Sequence, residues 1–398
     1  MRSKPILFRQ QFSLDPDLIY LNSGTFSISP NSVLHAQGTY ERDFERNPTQ
    51  ALISAWGRLW MLQKQLAEFF HTAPENLFLR PNVTSALNDF ILSIPLPKNA
   101  ELLVTDLEYG AIVNLCRFRA ERDRLTLRAI CLNTPAANDP DPKQNLVDQI
   151  LRQLSSKSAL LMLSHVTTGT GLIVPIAELS AELRRRGVLL VVDGAHGPGA
   201  LPLDFRLLTE LDFYGGNLHK WFLGPKGTAF GWVNPRHHEA LVPRFAGWTT
   251  YEPTVASFRD FAPDHVFARR MLHSACQNFG PYFALEATLS FWKQSGEASV
   301  FSELKRLQAR LEELLRDQMG WETISPLHPE LRGPLLSYAL PELSMTEAAT
   351  LFEDLLAKHN LQVGIPTVKG IPCLRFSPHI YNTENELERA VKIISQVL

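Results

Sequence analysis

Cysteine is scarce in this chain: four thiols in 398 residues, Cys116, Cys131, Cys276 and Cys373. None forms a Cys-x-x-Cys pair or a zinc-ligand spacing, so neither a disulfide scaffold nor a metal site is expected. Scattered thiols of this kind suit a reducing cytoplasm. Charge of one sign is lacking too. The formal net charge is −2, which offers no field for nucleic acid or an anionic membrane. Long apolar runs are missing: none reaches the roughly 18 residues of a membrane span. The opening MRSKPILFRQQFSLDPDLIYL has no signal-like apolar core. There is no G-x-x-x-x-G-K-[ST], so nucleotide phosphate is not implied. Internal repeats and low-complexity tracts are likewise absent.

What is present is ordinary for a globular protein: 45% hydrophobic and 20% charged residues, in a chain long enough for two domains and a large core. The middle alternates strand-like and helix-like segments. Strands are expected over 76–80, 101–106, 159–166, 188–192, 211–214 and 228–233. Between them, Thr84 opens a helix with Leu87, Phe90, Ile91 and Ile94 on one face, and Ile176 to Arg186 forms another, ended by Gly187. Such alternation predicts an α/β fold with a mainly parallel sheet and ligands at the strands' carboxyl ends. The last third reads differently. Phe301 to Met319 and Thr383 to Leu398 are amphipathic helices, the second with Thr383 and Glu386 as a capping box. Shorter strands such as Cys373 to Ser377 lie between them. The expected division is a large α/β domain over 20–265, with 1–19 and 266–398 forming a smaller α+β domain. Arg244 to Cys276, rich in aromatics and turn residues, reads as a crossing segment and active-site rim.

Two short motifs carry the chemistry. Asp193-Gly194-Ala195-His196 follows the apolar strand 188–192. Lys220 lies in Gly216-Asn217-Leu218-His219-Lys220-Trp221 after the next one. A buried carboxylate and a lysine in a constrained, glycine-flanked loop suit pyridoxal 5′-phosphate. The lysine forms a Schiff base with the cofactor aldehyde, and the carboxylate keeps the ring nitrogen protonated. Ala195 is small enough for the ring to lie against it, and His196 can donate to the phenolic oxygen. Asn82-Val83-Thr84-Ser85-Ala86, between a strand and a helix, offers free N–H groups and the Thr84 hydroxyl to a phosphate. Asn217 and His219 can donate to the same anion. Tyr109 can stack on the ring. Arg375, alternating with apolar neighbours, can hold a substrate carboxylate bidentately. Each residue also has a plain structural reading: Thr84 capping its helix, Tyr109 a rim aromatic, Arg375 an ion pair.

Together these motifs resemble the class V aminotransferases of the fold type I, aspartate-aminotransferase-like group, from Tyr20-Leu21-Asn22-Ser23-Gly24 to Tyr381-Asn382-Thr383. Asp-Gly-Ala-His and Gly-Asn-x-His-Lys-Trp are most similar to the isopenicillin N epimerase-like members. The resemblance implies a seven-stranded-type sheet, a homodimer and a small amino-acid-type substrate. It implies Lys220, Asp193, His196 and Tyr109 as catalytic groups. Val83 (through its backbone), Thr84, Asn217 and His219 would bind phosphate. Arg375 would take the substrate carboxylate, with Asn22, Ser23, Gly24 and Thr168 nearby. Three departures accompany it. Thr167-Thr168 stands where desulfurases have Ser-Asn. Gly280-Pro281 stands where the family often has Gly-Thr reaching the partner's phosphate, so that contact is lost or moved to Gln277 or Asn278. The desulfurase cysteine loop is missing, and Cys373 lies on the strand of Arg375. Epimerisation is therefore the leading expectation, with transamination or C–S lysis as alternatives and a non-catalytic scaffold as a further one.

Overall fold

The computed structural model describes residues 8–247, 250–251, 265–272 and 276–398. Most of the expected rim segment, 244–276, thus lies outside the described residues. The strands are β1 (Ile19–Tyr20), β2 (Leu77–Arg80), β3 (Glu101–Thr105), β4 (Thr126–Ile130), β5 (Ser158–Ser164) and β6 (Leu189–Gly194). They continue as β7 (Phe213–Asn217), β8 (Ala229–Val233), β9 (Leu336–Ala339), β10 (Leu361–Gln362), β11 (Thr367–Val368) and β12 (Ile371–Phe376). The first helices are α1 (Asn31–Arg46), α2 (Pro48–Phe69), α3 (Val83–Ile91), α4 (Gly110–Asp123), α5 (Pro142–Leu151) and α6 (Ile176–Arg185). After them come α7 (Val266–Leu272), α8 (Gly280–Phe283), α9 (Leu285–Ser295), α10 (Glu297–Met319), α11 (Met345–His359) and α12 (Glu384–Val397).

Seven strands form one sheet in the order β2-β8-β7-β6-β5-β3-β4. The pairs from β7 through β4 are parallel, and β8 joins β7 and β2 antiparallel. This is the mainly parallel sheet the alternation predicts. β5 to β8 are apolar along nearly their whole length because helices cover both faces, and their burial is nearly complete. The half-exposed β4 escaped the pattern, since an edge strand buries too little to show it.

One boundary moves for a reason that matters to the site. Strand β7 does not stop at Tyr214; it runs through Gly215, Gly216 and Asn217. Glycine is a poor strand former, but here it permits close approach. A Cβ on Gly215 would sit 2.7 Å from Val83 Cγ2, so the first turn of α3 packs directly on β7. That brings the helix N-terminus beside the loop holding Lys220.

The C-terminal elements build a second core. A three-stranded sheet, β11-β12-β9, packs with α10, α11 and α12 around Leu311, Leu315, Leu355, Leu374, Phe376 and Val391. Both expected C-terminal helices are present, and the Thr383–Glu386 capping box forms. β1 pairs with β10, which places Ile19 and Leu21 in this core and lays residues 22–25 along its edge.

Candidate active site

Parallel strands deliver their next residues to one end of the sheet. Asp193 ends β6, and the turn after it carries Ala195 and His196. Lys220 follows β7, Thr168 follows β5, and Tyr109 caps α4 after β3. Arg375 enters from the other core, on β12.

Asp193 is buried, and its Oδ1 accepts from the Ala195 N–H at 2.8 Å. Its Oδ2 has no protein partner among the described residues. Burial raises its pKa, an effect the Ala195 N–H and the nearby Lys220 charge oppose. A cationic N–H placed opposite Oδ2 would remove that penalty. Lys220 has its amine pushed down to about 8, first by burial and also by the charge of Arg375, with Asp193 pulling the other way. Its Nζ lies 3.4 Å from His196 Nε2. The Lys220 amine is therefore a usable nucleophile and base near neutral pH. His196 is itself held far below its ordinary pKa by burial and by the charges of Lys220 and Arg375, so it is neutral.

Arg375 is buried, and no carboxylate pairs with it among the described residues. Its Nη2 donates to Asn22 Oδ1 at 3.0 Å and Thr25 Oγ1 at 3.2 Å, and Nη1 donates to the Thr168 carbonyl at 3.2 Å. Its Nε has no partner among the described residues. Burial pushes it down to about 10, while the phenols of Tyr20 and Tyr109 act in the opposite sense. A buried guanidinium without a counter-ion is costly, and an incoming carboxylate would supply one. The ion-pair alternative for Arg375 is thus not what the fold builds. Gly24 makes room for it: a Cβ there would stand 3.2 Å from Arg375 Cζ. Thr168 bridges the two halves, with its carbonyl on Arg375 and its hydroxyl 3.2 Å from His196 Nε2.

Some expected residues do other things. The Ser23 hydroxyl is engaged with Tyr381 at 2.6 Å and supports the loop. Asn82, not Thr84, caps α3, accepting from the Ser85 N–H. The Val83 N–H, expected to serve a phosphate, donates to Asn217 Oδ1 at 2.9 Å, because close packing of α3 on β7 puts them together. The Thr84 N–H, the Thr84 hydroxyl and the Asn217 amide N–H remain for an anion. His219 Nδ1 donates to the Thr228 carbonyl at 3.0 Å. Its Nε2 is then an acceptor unless the ring is charged, and burial holds its pKa down to about 4. Tyr109 is 52% exposed, at the mouth of the site. Asn278 is spent on α8, accepting from the Gly280 N–H, which leaves the exposed Gln277 for any contact outside the chain. The Cys373 thiol is buried on β12 and donates to the Ile371 carbonyl.

Three neighbours of these residues were not singled out from the sequence. Thr25 holds Arg375. Glu108 accepts from the Thr105 and Ser164 hydroxyls, each at 2.6 Å, and burial lifts it to about 7. The Trp221 indole N–H donates to His196. A tryptophan beside the key lysine was the available signal, since a buried indole needs an acceptor.

The family model described as aminotransferase class-V matches residues 19–390. The chain belongs to that family. Among characterised relatives, the isopenicillin N epimerase of Streptomyces clavuligerus is 31% identical over 386 residues, covering 96% of this chain and 95% of its own. The isopenicillin N epimerase of Amycolatopsis lactamdurans is also 31% identical, over 98% of this chain and 97% of its own. A solved complex of the cystine C–S lyase C-DES with cysteine persulfide superposes with a TM-score of 0.82. It shares 24% identity over 96% of this chain and 98% of that one, which establishes the fold. The family is the pyridoxal-phosphate family that the Asp193 and Lys220 motifs resemble. The residues fit that cofactor: an unmatched carboxylate oxygen on Asp193, a depressed lysine amine, free donors at the start of α3 and a small Ala195 beside them.

Proposed function

We propose that this chain is a pyridoxal-phosphate enzyme acting at the α-carbon of an amino acid, and that its reaction is epimerisation of the isopenicillin N epimerase kind. The observation that carries the reading is the buried Arg375, which has no carboxylate partner among the described residues and lies close enough to Lys220 and His196 for its charge to act on both, with Thr168 touching both Arg375 and His196. Bound there, the cofactor supplies an electron sink for the substrate α-carbon. Asp193 would hold its ring nitrogen and His196 its phenolic oxygen. Thr84, Asn217 and His219 would hold its phosphate, and Tyr109 and Ala195 would pack against its ring. Arg375, carried by Asn22, Thr25 and Thr168, fixes the substrate carboxylate. The Lys220 amine takes the α-proton on its side, and the Tyr109 phenol returns one from the other side. Near-full-length identity to two epimerases supports this choice, and the burial of Cys373 on β12 speaks against a desulfurase. The active form is proposed to be a cytoplasmic homodimer, with Gln277 reaching the partner's site.

The test is incubation of cofactor-loaded protein with a panel of amino acids, isopenicillin N included, in heavy water. α-Deuteration with inverted configuration is expected. Keto acid formed with an amino acceptor would replace epimerisation by transamination. Pyruvate with a released sulfur species would replace it by C–S lysis. No exchange with any member would remove the α-carbon reading.

A further inference from the structure

Trp221 is fully buried, and the reading above assigns it no task. Its indole N–H donates to His196 Nδ1 at 3.1 Å. An indole nitrogen only donates, so Nδ1 must carry the lone pair. The neutral ring must then bear its proton on Nε2. That nitrogen faces Thr168 Oγ1 at 3.2 Å and Lys220 Nζ at 3.4 Å.

Trp221 is itself held in place. Its ring stacks on His379 at 5.5 Å and 23°. His379 Nε2 donates to the Trp221 carbonyl at 3.1 Å, and His379 Nδ1 accepts from the Ile380 N–H at 2.8 Å. The residue after the reactive lysine is thus clamped by the segment that follows β12.

We propose that Trp221 is a positioning residue that locks His196 in its Nε2–H tautomer, so that the site presents a hydrogen-bond donor beside Lys220. The tautomer follows from the protein alone. Its catalytic consequence rests on the pyridoxal-phosphate reading, in which a donor at this point suits an electron-rich phenolic oxygen. Without the indole, Nδ1 is buried and unpartnered. Nε2 is then free to become an acceptor from the Thr168 hydroxyl or a Lys220 ammonium.

The test uses cofactor-free protein labelled with ¹⁵N-histidine, with His196 assigned by its loss in His196→Gln. Long-range proton–nitrogen correlation should show Nε2 protonated and Nδ1 bare in the wild type. In Trp221→Phe, which keeps a ring against His379, that pattern should shift toward Nδ1–H. Protonated Nδ1 in the wild type overturns the proposal without recourse to any variant. So does an unchanged Nε2–H pattern in a folded Trp221→Phe. With cofactor and substrate, kcat should fall about tenfold, the worth of one hydrogen bond, while KM stays within about twofold. An unchanged kcat would also overturn it. Failure of the wild type to bind pyridoxal phosphate would sink the functional reading alone, because the tautomer is read without cofactor.

Discussion

Replacing Arg375 by lysine isolates what a guanidinium does here that a bare positive charge does not. The native head group is fastened from behind by Asn22, Thr25 and the Thr168 carbonyl, at 3.0 to 3.2 Å. Lysine keeps the charge but offers a single ammonium on a differently shaped stem. It cannot satisfy those three acceptors and still present the N–H donors that Arg375 keeps free, on Nε and Nη1, to a carboxylate. Burial that pushes even an arginine down to about 10 would also favour the neutral form of a lysine. A lost charge-assisted contact costs about 1.5–3 kcal/mol. That is about a ten- to hundredfold weaker substrate, at about 1.4 kcal/mol per factor of ten. The assay is titration of a substrate amino acid against the visible spectrum of the bound cofactor, in wild type and Arg375→Lys. Cofactor affinity should be equal in the two, since the proposed phosphate donors lie on α3 and β7. Equal amino-acid affinity would refute the assignment. A matching loss of cofactor affinity would show that the substitution had disturbed the whole site.

Lys220 is depressed from 10.5 to about 8, so between those values the unfolded chain holds a proton that the folded chain has lost, and stability rises with pH across that window. Cofactor-free Lys220→Met should therefore be more stable than wild type at pH 7, by up to about 3 kcal/mol, with the gap closing toward pH 10. Denaturant melts across that range check it, and a constant gap would contradict it. Asp193→Asn should still bind cofactor through the phosphate but lose about ten- to a hundredfold in kcat, because an amide cannot hold a protonated ring nitrogen as a carboxylate does; turnover within twofold of wild type would exclude Asp193 from that role. His219, held down to about 4, should become charged when a phosphate dianion binds beside Nε2. Cofactor binding near pH 6 should then take up more protons in wild type than in His219→Gln. Calorimetry in buffers of different ionisation enthalpy reads that difference, and equal uptake would leave His219 outside the phosphate site. Gly215→Val should weaken both stability and cofactor binding, because its side chain would collide with Val83 and push α3 off β7, an overpacking cost of about 1–3 kcal/mol. An unchanged melting temperature would count against the close packing.

Much of the sheet was legible because its strands are buried on both faces and read as uninterrupted apolar runs. Asp193 and Lys220 were legible for a related reason: each follows such a run, and a charged residue there lies at the strands' carboxyl ends, where α/β folds place their sites. Strand β4 was not legible, because its alternation is weak at an exposed edge. The end of β7 was misread because Gly215 and Gly216 look like a turn until α3 is seen packed against them.

The chain's own pattern thus determined which residues are candidates for the chemistry and roughly where along the fold they sit. It could not determine how their hydrogen bonds are distributed, since those partners come from distant segments. That the Val83 N–H belongs to Asn217, that His219 gives its proton to Thr228, and that Thr25 stands behind Arg375 all depend on contacts between separate elements. The state of His196 depends on the most distant ones. Its proton lies on Nε2 because Trp221 points an N–H at Nδ1, and Trp221 points there because His379, far along the chain, stacks against it. Local sequence sets which donors and acceptors exist; only the packed structure decides which of them remain free for a ligand.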